Sequence, residues 1–109
     1  AGKFPLWLAP VQIKLLTVTE KFAGFAEELA AKCEEAGLRV VTDVRNEKIG
    51  YKLREARNER TPYICVIGEK EVEAGTVTVR SGKVGELGEM STEEFMDKLL
   101  AEIALKEME

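Results

Sequence analysis

Val11, Ile13 and Leu15 alternate with Gln12 and Lys14 before the run turns fully apolar, a period of two that predicts a strand over residues 11–18. From Thr19 the period becomes helical. Phe22, Phe25, Ala26, Leu29, Ala30, Cys33 and Ala36 share one stripe, with Thr19 placed to cap it and Gly37 to end it. LRVVTDV, residues 38–44, reads as a second, β-branched strand. A second helix follows, with Asn46 as N-cap, Ile49, Leu53 and Ala56 at i, i+4 and i+7, and an end forced before Pro62. PYICVIG, residues 62–68, is almost continuously apolar, as a strand covered on both faces should be. EKEVEAG reads as a helical turn, and residues 76–80 and 86–90 flank SGKVG as a hairpin. The last segment opens on a capping box, Ser91 to Glu94, and carries the stripe Phe95, Met96, Leu99, Leu100, Ile103.

The order is therefore βαβαβ, a hairpin, then α. Two βαβ crossovers imply parallel strands with helices on the sheet faces, and the hairpin adds antiparallel members. The expected fold is a three-layer α/β/α domain with a five-stranded mixed sheet. No repeat or linker divides the chain, so residues 1–109 are read as one domain.

Composition narrows the chemistry. With 109 residues, 45% of them apolar and 33% charged, the chain can bury a real core and reads as a soluble globular protein. Cys33 and Cys65 form no CxxC and sit in apolar surroundings, which suggests reduced core thiols and a cytoplasmic setting. The absence of histidine removes the commonest general base and the usual zinc ligand. No glycine-rich segment has the spacing of a phosphate loop, so a small nucleotide or thioredoxin-like enzyme is disfavoured. Glu34 with Glu35, and Glu93 with Glu94, lie in helices among charged neighbours and read as solvated faces. The proline-cut start is a poor signal peptide, no apolar run is long enough to span a bilayer, and the lack of an initiator Met suggests an excised piece.

One segment departs from the acidic whole. Residues 45–60 hold Arg45, Lys48, Lys52, Arg54, Arg57 and Arg60 against Glu47, Glu55 and Glu59, a balance of +3 in a chain of −4. The simplest reading is a solubilising helix face, with Lys52 and Glu55 paired at i, i+3. A second reading gives the cations a ligand. Asn46 and Lys48 stand beside the C-terminal end of a strand, where open α/β sheets bind ligands, and a cationic patch on an acidic body steers a polyanion to one face.

FPLWLAPVQ, DVRNEKIGYKLREA, PYICVIGEKEVEAGTVTVR and LGEMSTEEF together resemble the C-terminal anticodon-binding domain of threonyl-tRNA synthetase, over about residues 4–103. The resemblance implies a module that binds the anticodon loop of threonine tRNA, joined to a catalytic domain of a homodimeric ligase. It implies ATP, Mg and Zn sites only in that catalytic domain, and no cofactor, membrane or DNA partner here. Carried over residue by residue, the family's anticodon contacts fall on Asn46, Lys48, Glu71 and Arg80. Arg45, Tyr51, Lys52 and Arg54 are secondary candidates for backbone contacts. The family commonly has further basic residues after VTVR, whereas here only Lys83 precedes Glu86, so phosphate attraction near the hairpin should be weaker. A domain that kept this fold as a protein-interaction or dimer-supporting module is the alternative.

Overall fold

The computed structural model describes residues 5–82 and 84–107; Phe4 and Lys83 lie outside the described residues. A 3-10 turn, Leu6–Leu8, leads into β1 (Ile13–Thr17), and a second, Glu20–Phe22, runs into α1 (Ala23–Glu35). There follow β2 (Val40–Asp43), α2 (Ile49–Asn58), β3 (Tyr63–Ile67), α3 (Glu69–Ala74), β4 (Thr76–Ser81), β5 (Gly85–Ser91) and α4 (Thr92–Glu107). The five strands form one mixed sheet in the order β2-β1-β3-β4-β5, parallel among β1, β2 and β3 and antiparallel from β3 through β5.

That order explains the layers. The crossovers β1–α1–β2 and β2–α2–β3 travel in opposite directions across β1, so right-handed connections put α1 and α2 on opposite faces. On one face Ile13, Leu15, Cys65, Ile67, Val77 and Val79 meet Ala26, Leu29 and Cys33 of α1 and Phe95 and Leu99 of α4. Leu16 and Ile64 turn to the other face, under Ile49, Leu53 and Ala56 of α2. α2 thus packs on β1 and β3, while Val66, Thr76, Thr78 and Arg80, further across that face, stay half-buried. The expected α/β class, three layers and mixed sheet are all present.

Helix ends follow local chemistry. After α1, Gly37 adopts φ +89°, its N–H bonds Glu34 O at 3.0 Å, and the next N–H, of Leu38, reaches back to Cys33 O at 2.9 Å. This is the paired bonding that closes a helix through a left-handed residue, ordinarily glycine. At the start of α4 the Glu94 N–H donates to Ser91 Oγ at 3.1 Å, as its sequence suggested. Thr19 caps no helix with its side chain; its carbonyl instead accepts Phe22 N–H in the 3-10 turn.

Two expectations need correction. β1 does not alternate between core and solvent. As a central strand it is buried throughout, with Gln12 bonded to Leu6 O and Arg39 N, and Lys14 paired with Glu59 at 2.6 Å. α2 begins at Ile49 with Lys48 as N-cap, not at Asn46, because Asp43 holds the intervening segment by accepting from the Arg45 N–H and guanidinium. Cys33 and Cys65 are free and buried, and burial pushes the Cys33 thiol up to about 11 and Cys65 up as well. Among the described residues no helix is long and apolar enough to cross a membrane.

Candidate nucleic-acid interface

Loop 44–48 joins the C-terminal end of β2 to α2 and carries Asn46 and Lys48, both exposed. Its foundation is Lys52. This side chain is fully buried, and its ammonium donates to Thr17 O at 2.8 Å, Thr17 Oγ1 at 3.4 Å and Asp43 O at 3.2 Å. It therefore ties the C-terminal ends of β1 and β2 to the first turns of α2. Desolvation holds its pKa below the usual lysine value, against the pull of the Asp43 charge. The expectations that Lys52 is exposed, touches RNA and pairs with Glu55 are overturned; Glu55 pairs with Arg45 instead. Position 52 lies three residues after Ile49 and four before Ala56, on the buried stripe, and that spacing is the signal that marks it.

Arg45 is occupied as well as exposed. Its guanidinium forks onto the buried Asp43 carboxylate at 2.9 and 2.8 Å, also bonds Glu55, and lies 5.8 Å from the Tyr51 ring centre. The guanidinium beside them holds Asp43 and Glu55 below the usual carboxylate range. The Tyr51 phenol bonds Glu55, which pushes its pKa up. The network fixes the loop while leaving Asn46, Lys48, Tyr51 and Arg54 exposed.

Glu71 stands on α3, beyond the C-terminal end of β3. Its carboxylate accepts the Gly68 N–H at 2.7 Å with one oxygen and the Thr78 hydroxyl at 2.9 Å with the other. At Gly68 an added Cβ would come within 3.1 Å of Glu71 Oε1 and 3.2 Å of Val18, so a larger residue there would press on this carboxylate. Glu71 is 9% exposed, so its remaining lone pairs are presented in a fixed direction by a side chain that cannot swing away. Thr78, its partner, has no independent signal in the sequence beyond its place on a strand.

Arg80 shares a strand face with Thr78, two residues along β4, about 7 Å by strand rise. The β4–β5 register shifts beside it, Val79 pairing with Gly88 and Arg80 with Glu86, and the Arg80 guanidinium meets Glu86 at 3.4 Å. Val66 and Ile64 of β3 lie beside Thr78 and Arg80 respectively. Glu71 and Arg80 are thus linked through one strand face. Asn46, Lys48 and Glu71 all follow the C-terminal ends of parallel strands. Among the described residues no group of three or more His, Cys, Asp or Glu is placed to hold a metal ion.

Glu71 and Arg80 present a carboxylate and a guanidinium on the half-buried β3–β4 face, and Asn46 and Lys48 present an amide and an ammonium from the loop beyond β2, donors and acceptors suited to unpaired nucleobases. Residues 7–102 match the family model described as the anticodon binding domain. The chain is 49% identical over 106 residues to a threonine–tRNA ligase of Clostridium acetobutylicum, covering 97% of the chain and 17% of that protein. It is 51% identical over 107 residues to the ligase of Acetivibrio thermocellus, covering 98% and 17%. The chain thus spans about a sixth of the length of these relatives. Its fold superposes with TM-score 0.86 and 27% identity on the RNA binding domain of threonyl-tRNA synthetase from Cryptosporidium parvum, covering 92% of this chain and 25% of that one. From its sheet order to its sequence, this chain belongs to the anticodon binding domain family and is similar over nearly its whole length to the threonine–tRNA ligases that carry such a domain.

Proposed function

We propose that this domain binds the anticodon loop of threonine tRNA and reads its second and third anticodon bases, within a ligase whose catalytic domain charges that tRNA. The observation that carries the reading is the shared face of Glu71, Thr78 and Arg80, with the Glu71 carboxylate locked in place. Guanine presents two adjacent N–H donors on its Watson–Crick edge, which match the lone pairs left on Glu71. Uracil presents one donor between two acceptors, which the Asn46 amide meets from either side. Arg80 stacks on a base or donates to an acceptor, and Lys48 adds a point charge at the start of α2. Tyr51, Arg54 and the outer edge of Arg45 line the approach as backbone contacts.

Preorganisation is the physical basis of selectivity here. A carboxylate already held by two donors loses little freedom on binding, so the wrong base meets a fixed mismatch. The test is a titration with the threonine anticodon stem-loop beside one altered at the second and third anticodon bases. Each bidentate contact should contribute roughly 1–3 kcal/mol of preference. Glu71→Gln keeps an oxygen for the Gly68 N–H yet removes an acceptor, so it should fold normally and lose the preference, as should Arg80→Ala. Equal affinity of the unaltered domain for both loops would contradict the reading.

A further inference from the structure

A second feature adjoins Arg80. Between the C-terminal end of α2, the β4–β5 turn and α4 lies a cleft of about 450 Å³, lined by Arg57, Arg60 and Arg80 with Tyr63, Gly82 and Glu102 among its walls. It sits toward the opposite end of the sheet from Glu71, since Arg80 pairs in register with Ile64 near the start of β3. Arg57, Arg60 and Arg80 share this lining with the Glu102 carboxylate, and Arg80 also meets Glu86 at 3.4 Å, in a protein whose overall charge is −4. That carboxylate, of Glu102, accepts the Tyr63 hydroxyl at 2.6 Å.

Arg60 is there against backbone preference. At the end of α2 its N–H bonds Arg57 O at 3.0 Å, the next N–H, of Thr61, bonds Ala56 O at 3.3 Å, and Arg60 itself has φ +58°. This is the same closing motif that ends α1, where the left-handed position is filled by Gly37. Among the described residues Arg60 is the only one other than glycine with positive φ. An arginine held where the same chain elsewhere uses glycine keeps its side chain at a conformational cost, and that side chain lines the cleft.

We propose that this cleft is a phosphate subsite for the RNA strand as it runs on from the base-reading face, with Arg57 and Arg60 as its added contacts and Arg80 as the hinge between the two sites. The inference rests on the anticodon-loop reading. Guanidinium groups meet phosphate oxygens bidentately, and phosphate contacts position a strand without reading its sequence. The location gives the anticodon loop a second anchor where the hairpin itself keeps few cations.

The test titrates the 109-residue domain with the threonine anticodon stem-loop and the base-altered loop across a series of salt concentrations. Arg57→Ala and Arg60→Gly should each weaken both loops equally, about three- to tenfold near 0.1 M salt, and flatten the salt slope by about 0.7. Arg60→Gly suits the left-handed backbone, so a loss of affinity in a fold at least as stable would report a lost contact. Glu102→Gln removes the opposing charge and should tighten both loops. Unchanged affinity and slope in the arginine variants would overturn the subsite, as would a loss of base preference without uniform weakening. If the unaltered domain prefers neither loop, the base-reading proposal fails while the salt slopes still decide the cleft.

Discussion

The ammonium of Lys52 joins three pieces of backbone, the end of β1, the end of β2 and the start of α2, and reinforces the Thr17 hydroxyl bond to Asp43 O. Removing it leaves Thr17 O and Asp43 O without that donor and a gap under the helix. Lys52→Met should therefore cost about 2–4 kcal/mol of stability, read from urea unfolding, and a loss below about 0.5 kcal/mol would contradict the role. The neighbouring carboxylates give a pH signature. Asp43 and Glu55 have folded pKa values lowered by Arg45, so the stability they contribute is complete above the unfolded carboxylate range near 4 and is lost as pH falls through the folded values. Urea midpoints should drop on acidification from about pH 5 toward 3, and less steeply in Arg45→Gln. Asn46 and Lys48 were legible as ligand candidates from their place after a strand end, whereas Glu71 and Arg80 were named only through family resemblance, because a Glu on a helical turn or an Arg near a strand end looks the same on a reading surface as elsewhere. Lys52 was misread for the opposite reason. Hydrophobic patterning assigns a lysine to solvent, and only the position of its carbonyl partners in space reveals that its charge can be satisfied inside.

Elements were far more legible than residues. The periods of α1, α4 and the five strands express burial directly, and the capping box at Ser91 is a local hydrogen bond that needs no tertiary context. Ser91→Ala should accordingly lower stability by about 1 kcal/mol. What the periodicity missed lay where tertiary partners override local preference. Gln12 leads into the central strand with its amide bonded to Leu6 O and Arg39 N, Lys14 on that strand pairs with the exposed Glu59, and Asn46 yields the α2 cap because Asp43 and Arg45 hold a bend ahead of Ile49. The end of α2 is the converse case, a residue kept against its backbone preference. Arg60→Gly should raise the unfolding free energy by about 0.5–1 kcal/mol, and a destabilisation would contradict the left-handed conformation assigned to Arg60.

At the scale of the molecule, the sheet divides its two faces unequally. α1 and α4 seal one face over the main core and turn Glu27, Glu28, Glu34, Glu35, Glu93 and Glu94 to solvent, while α2 leaves a strip of the other uncovered. A polyanion is repelled from the first and admitted to the second. Neutralising the sealed face, as in Glu28→Gln with Glu35→Gln, should change stem-loop affinity by no more than about twofold, since screening over a Debye length isolates the two faces. The most direct test follows the backbone amide resonances of the domain during titration with the threonine anticodon stem-loop. Shifts should concentrate in residues 44–48, 68–71 and 78–80. Shifts confined to α1 and α4, or none at saturating RNA, would contradict an anticodon loop read on the open face.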